Sequence, residues 1–384
     1  MDQAADIVIA GAGLSAQLVA LRLAPQARVL MIDRHPDPLA GHTWSFHDAD
    51  IDADAQAWLA PAIRRRWAGQ EVRFPGHARR LASGYASLDA GSLGAATAAL
   101  PGVSMIEGRV RDIDGRSVTL DDGRRIAAGV AIDARGFRPH PAAQVRFQKF
   151  LGQEVELSSP HGLTRPVIMD ATVAQQDGYR FFYLLPFDDR RLLIEDTYYS
   201  DAAALSADRQ RTAIADYAAD RGWQIARVLR EERGVLPITL RLDAEAFWRD
   251  RPTGLPVIGL RALRFHSLTG YSLPHAVRSA ELVARHWQAG PETLAGALRR
   301  DSLADAGRQG FYRLLARMLF EAAAPDERRR VMERFYRLPE PLIERFYAGQ
   351  TSLADKARIL TGRPPVPVSR ALRCLPGTLK ERSA

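Results

Sequence analysis

The chain has 384 residues, of which 46% are hydrophobic and 26% charged, and carries a formal net charge of +8. That composition excludes a disordered chain and leaves room for a large core or for two medium domains. The single cysteine, Cys374, excludes an intramolecular disulfide framework and a cysteine-built metal centre, and suits a reducing cytoplasm.

Of the 53 basic residues only Lys149, Lys356 and Lys380 are lysines. No nucleic-acid-binding motif accompanies the positive charge, so no nucleic-acid partner is expected, whereas an anionic membrane face would suit it. No apolar run approaches 18 residues, so no transmembrane helix is expected. The opening "MDQAAD" carries acids where a signal peptide needs basic residues, so secretion is not expected either.

Residues 6–34, "DIVIAGAGLSAQLVALRLAPQARVLMIDR", read as strand, glycine turn, helix and second strand, a βαβ unit. Gly11, Gly13 and Ala16 form G-x-G-x-x-A where a strand gives way to a helix. The first glycine permits the tight turn, the second lets backbone approach a pyrophosphate, and the small third residue allows close packing. Asp33, at the end of the second strand, suits the ribose hydroxyls.

Residues 103–137 read as two or three short strands with an Asp122-Gly123 turn, ending in an apolar strand and Gly136. Residues 145–200 are rich in β-branched and aromatic residues and predict a second sheet. Residues 203–230 read as a helix and "GVLPITL" as a strand. The stretch from Leu255 to Trp287 reads as strand, loop and long helix, with Gly270 and Tyr271 in the loop. Residues 292–360 read as helical, and the Pro-rich 361–377 as an extended tail. "AIDARGF" and the loop around Gly270–Tyr271 resemble flavin contacts of flavoproteins. Three contact segments spread over 270 residues suit FAD better than NAD.

In "RLLIEDTYYS" (191–200) an apolar run ends in two adjacent acids, Glu195 and Asp196. Side chains alternate along a strand, so only one of the two can face a given pocket, and the strand alone does not say which. The acids are either solvated at a strand end or held in an apolar pocket, where burial would raise the carboxyl pKa and keep the acid protonated near neutrality.

The fingerprint, "LLIEDT" and "FHSLTGYSLPHAV", supported by "QEVE", "VIMD" and "GYRFFYLLPF", together resemble the bacterial lycopene β-cyclases over nearly the whole chain. The resemblance implies an α/β (α+β elaborated) fold. It would combine a Rossmann-like FAD-binding domain of the p-hydroxybenzoate-hydroxylase-like type, an antiparallel-sheet substrate region and a helical C-terminal part. The corresponding regions are 1–145 with 230–290 for FAD, 146–229 for substrate, and 291–384 for the helices. It also implies redox-neutral cyclisation of the acyclic ends of lycopene to γ- and then β-carotene, using reduced FAD with NAD(P)H as electron source. Under it, Glu195 is the better acid, and Asp196, where plant members carry a second glutamate, is its support. Gly11, Gly13, Ala16, Asp33, Gly136, Gly270 and Tyr271 would contact the cofactor, and no metal is expected.

The cation formed on ring closure would be stabilised by aromatic faces, with Tyr179, Phe181, Phe182, Tyr183, Tyr198, Tyr199 and Tyr271 as suppliers. His266, His275 and Arg233 lie near the flavin segments but outside the catalytic set. A carotene resides in the bilayer, so peripheral attachment to the inner membrane from the cytoplasm is expected. The apolar stripe of 311–319 and the arginine-aromatic stretch 327–347 together are its candidates, although the stripe of 311–319 taken alone suits a helix packed on the protein's own core. Two alternatives are a redox flavoenzyme of the same fold and a non-enzymatic isoprenoid escort.

Overall fold

The computed structural model describes residues 5–24, 26–35, 41–362 and 366–375. The apolar strand Ala5–Ala10 runs parallel to Val29–Asp33 on one side and Arg125–Asp133 on the other. Buried between them, it reads as a continuous hydrophobic run rather than an alternating one. Helix Leu14–Leu23 makes the crossover and packs with helix Leu273–His286 in the first core. Val103–Glu107 adds to one edge of this sheet; Ser117–Leu120 and Val110–Ile113 add to the other. Residues 103–133 thus form four strands, and Gly123 (φ +88°) makes the tight turn between the last two.

The second sheet has seven strands in the order Ile225–Leu242, Ala143–Leu157, Arg191–Ser200, Tyr179–Pro186, Val167–Asp170, Gln70–Phe74 and His77–Leu81. A small third sheet joins Thr43–His47, Tyr85–Asp89 and Arg65–Trp67. Helix Ala207–Ala219 covers one face of the large sheet through Ile214 and Tyr217. C-terminal residues, among them Tyr312, Phe320, Tyr336 and Phe346, cover the other.

Several sequence expectations shift. The helix expected over 203–230 stops at Ala219, and a strand starts at Ile225 because Ile225–Leu242 pairs with Ala143–Leu157 from end to end. The boundaries expected at 146 and 230 therefore fall inside one hydrogen-bonded ladder. No strand forms at 255–260. Val257 makes only an isolated bridge to Asp133, before a 3-10 turn at Gly259–Ala262. Within 361–377, Val368–Arg373 is helical rather than extended, while 363–365 and 376–377 lie outside the described residues.

The stripe of 311–319 turns inward. Phe311 and Leu315 pack on the second core, Leu319 is buried, and buried Arg317 donates to the Cys374 and Leu240 carbonyls at 2.9 and 2.8 Å. Within 327–347, Arg328 is 1% exposed and holds the Tyr199 carbonyl and Asp201. Among the described residues no helix is long and apolar enough to cross a membrane.

Candidate functional site

Two adjoining hollows lie where the two large sheets meet. The first is built by the N-terminal turn. Gly11 adopts φ +98°, and a Cβ there would stand 2.8 Å from the Ala134 carbonyl, so only glycine fits. At Gly13, which opens helix Leu14–Leu23 without a side-chain cap, a Cβ would meet nothing within 4 Å. The uncapped first-turn N–H groups therefore face open space that an anion can fill. Ala16 is fully buried in the first core. Asp33 accepts from the Ala12 N–H at 2.9 Å and the His35 N–H at 3.1 Å, so it also ties the turn down.

The cleft over this turn has a volume of about 730 Å³ and is lined by Asp33, Arg34, Arg135 and Gly136 as well as both glycines. That volume lies within the ~300–1,000 Å³ common for ligand sites. A small-residue cradle, an uncapped helix end, arginines for phosphate and an acid for ribose together fit a dinucleotide.

The second hollow, about 100 Å³, is lined by Glu195, Tyr183, Gln148, Phe150, Tyr85 and Tyr271, among others. His42, Trp44, Leu236 and Ser272 line both, so the two are neighbours. Gly270 and Tyr271, expected at the cofactor, line this inner hollow and not the outer cleft. Gly270 needs its φ of +73° to turn the chain there, close to Gln148 Oε1.

Register decides between the two acids. On one face of the sheet Glu195 lies opposite Gly152 on one neighbouring strand and Tyr183 on the other. Its carboxyl accepts from the Thr197 hydroxyl at 2.6 Å. Burial, and next the facing Glu232 carboxyl, push it up to about 8. Asp196 points to the opposite face. It is 0% exposed and accepts from Arg180 Nε and Nη2 at 2.7 and 3.1 Å and from the Tyr198 hydroxyl at 2.8 Å. Burial raises its pKa too, opposed by the Arg180 guanidinium. Asp196 does not line the hollow, so the two acids are not brought together.

Of the expected aromatics, Tyr183 and Tyr271 line the hollow. Their hydroxyls are 3.4 Å apart, and that of Tyr271 is 3.0 Å from Tyr85. Burial raises all three phenols, so the rings stay neutral. Tyr179, Phe181 and Tyr199 join the core on the Glu195 face, and Phe182 and Tyr198 stand on the Asp196 face. His266 and His275 are buried outside the hollow, each lowered mainly by burial, His266 to about 4.

Sequence reasoning missed Trp44, Tyr85, Gln148, Phe150 and Glu232. For the last, alternation in "REERGVL" was a usable signal, since it sets Glu232 on one face with Gly234 and Leu236. Among the described residues no cluster of His, Cys, Asp and Glu suited to a metal ion occurs.

The family described as lycopene cyclase protein matches residues 6–373. A lycopene beta-cyclase of a Paracoccus species is 50% identical over 97% of both chains. Among solved structures, the flavin-dependent brominase Bmp2 superposes with a TM-score of 0.62 at 16% identity, covering 92% of this chain and 97% of that one. A probable FAD-dependent monooxygenase of Pseudomonas aeruginosa gives 0.57 at 17% identity, covering 86% and 99%. These last two likenesses are of fold: a mixed α/β architecture of flavin-dependent enzymes with a helical C-terminal part.

Proposed function

The chain belongs to the lycopene cyclase family and cyclises the ends of lycopene, an isomerisation, and we propose that Glu195 is the acid that starts each ring closure. Ring formation requires a proton on an unactivated alkene, then loss of a proton from the cyclic cation. The observation that carries the reading is the placement of Glu195. It is a carboxyl held above its ordinary range by burial, lining an aromatic hollow that adjoins the dinucleotide cleft. Burial that disfavours the carboxylate keeps this acid protonated, so it has a proton to deliver to the alkene.

The neutral rings of Tyr183, Tyr271 and Tyr85 offer their faces to the cation, worth roughly 0.5–2 kcal/mol each. Phe150, Leu193 and Leu236 exclude the water that would quench it. Asp196 acts from behind the sheet, fixing the strand through Arg180 and Tyr198.

Gly11, Gly13, Asp33, Arg135 and Gly136 would hold FAD, with its pyrophosphate at the helix end. Bound and reduced, FAD supplies an electron-rich ring system that favours a nearby cation. The family resemblance supports NAD(P)H as the electron source and Gly270 and Tyr271 as residues of the flavin-proximal loop. Peripheral membrane attachment is supported by Leu353, 83% exposed, and Leu360, which flank Arg358 on one helix.

The test is co-production of Glu195→Gln with lycopene. The expected result is unchanged lycopene in a protein that keeps its flavin absorbance; β-carotene at the parental level would refute the assignment. A product of the substrate's own mass excludes a redox outcome.

A further inference from the structure

Glu195 does not stand alone on its face. Gly152 lies opposite it on one side and opposite Glu232 on the other, so one glycine separates two acids on three adjacent strands. A Cβ at Gly152 would stand 3.3 Å from Glu195 Cγ and 3.2 Å from Glu232 Cγ. Glycine is therefore what lets the two side chains close over the middle strand. Glu232 is 2% exposed, and its Oε1 has no hydrogen-bond partner among the described residues. An unpaired buried carboxyl oxygen calls for an explanation.

The groups around the pair come from every neighbouring element. Arg230, on the strand of Glu232, is 3.4 Å from its Oε2. That arginine is shared with Glu154 on the middle strand (2.8 Å) and with the Thr43 hydroxyl (2.7 Å). Glu154 is in turn held by Arg64, which also pairs with Asp89. Thr43 lines the hollow that Glu195 faces. Asp196 lies behind the sheet, and the Tyr183 and Tyr271 hydroxyls in front are neutral. Arg230, the one cation paired with Glu232 among the described residues, thus has other anions to satisfy. Two buried carboxyls that approach across one glycine do not both ionise readily.

We propose that Glu232 is the positioning partner of Glu195: the two carboxyls hold protons as a pair across Gly152, Glu232 keeping Glu195 in its acid form and resupplying it after each transfer. The proposal rests on Glu195 being the acid. In the cycle the Glu195 O–H breaks as a C–H bond forms on the substrate. The Glu232 O–H then breaks as the Glu195 O–H re-forms. The ring cation's C–H electron pair becomes the ring double bond as its proton passes to the Glu195 carboxyl and one proton passes from Glu195 back to the Glu232 carboxylate. One proton enters and one leaves, with no electron transferred.

The test compares the pH dependence of lycopene cyclisation in liposomes by flavin-loaded parent, Glu232→Gln and Glu232→Asp. A neutral amide cannot repel charge on Glu195, so in Glu232→Gln the alkaline limb should move down by about one pH unit, and Glu232→Asp should restore it in part. An alkaline limb unmoved in Glu232→Gln, or a rate lowered equally at every pH, would overturn the proposal. Should Glu232→Gln not fold, infrared titration of the protonated carboxyl band in parent and Glu195→Gln decides. The Glu232 band should titrate at lower pH once its neighbour is an amide, and an unchanged titration overturns the pairing. Failure of the Glu195 reading looks different: Glu195→Gln would itself make β-carotene.

Discussion

The two faces of the strand Arg191–Ser200 treat neighbouring carboxyls in opposite ways. Asp196 receives an arginine, a tyrosine hydroxyl and the cover of a helix, the provisions that let a buried charge persist. Glu195, one residue earlier, receives a threonine hydroxyl, aromatic rings and a second carboxyl. Its face provides for an acid and the other for an anion. Burial alone does not make a proton donor; what matters is which form of the carboxyl the partners favour.

The contrast breaks or holds on four measurements. The largest effect is expected from Glu195→Gln. Loss of a general acid costs roughly 10²–10⁴-fold, so cyclisation should fall at least about 100-fold by that measure while flavin absorbance is kept. On the opposite face, Asp196→Asn should leave Arg180 buried without its counter-charge. Unfolding by heat or denaturant should then show a loss of about 3–5 kcal/mol, while the protein that remains folded still makes β-carotene. A stable but inactive Asp196→Asn would reverse the assignment of the two faces.

The third test is pH. In the native protein Glu195 keeps its proton up to about 8, whereas an unfolded glutamate gives it up near 4.5. The native state therefore binds more protons, and stability falls as pH rises between those values. Activity, which needs the acid form, should persist below about 8 and fall above it. Denaturant titrations of the parent should lose stability on going alkaline more than those of Glu195→Gln; equal slopes would mean that Glu195 is not held protonated. The smallest effect belongs to Tyr271→Phe, which removes one link of the Tyr85–Tyr271–Tyr183 hydroxyl chain but keeps the ring. At about 0.5–1.5 kcal/mol for a lost hydrogen bond, the rate should change by a few-fold to about tenfold, read as β-carotene formed per flavin.

Much of this molecule was open to reading from residue order. The βαβ unit carries its own signals, an apolar run, glycines at fixed spacing and an acid at the second strand's end, because the turn and the helix end are local structures. The apolar stripe of 311–319 allowed two readings for the opposite reason. The same periodicity serves a helix lying on lipid and one lying on its own core, and here Phe311, Leu315 and Leu319 meet Tyr312, Phe346 and their neighbours. The stretch 225–230, "IARVLR", was read as the end of a helix, yet fifteen paired positions with Ala143–Leu157 make it strand.

Sequence by itself determined that a nucleotide cleft would form at Gly11–Gly13 and that Glu195 and Asp196 would part to opposite faces, since both follow from backbone geometry within a few residues. Only the tertiary structure decided which acid met the hollow and which met Arg180, and that Glu232, 37 positions further on, stands across Gly152 from Glu195. The reason is that strand register is set by the pairing of whole strands and by the layers packed on each face, and those contacts lie far apart along the chain.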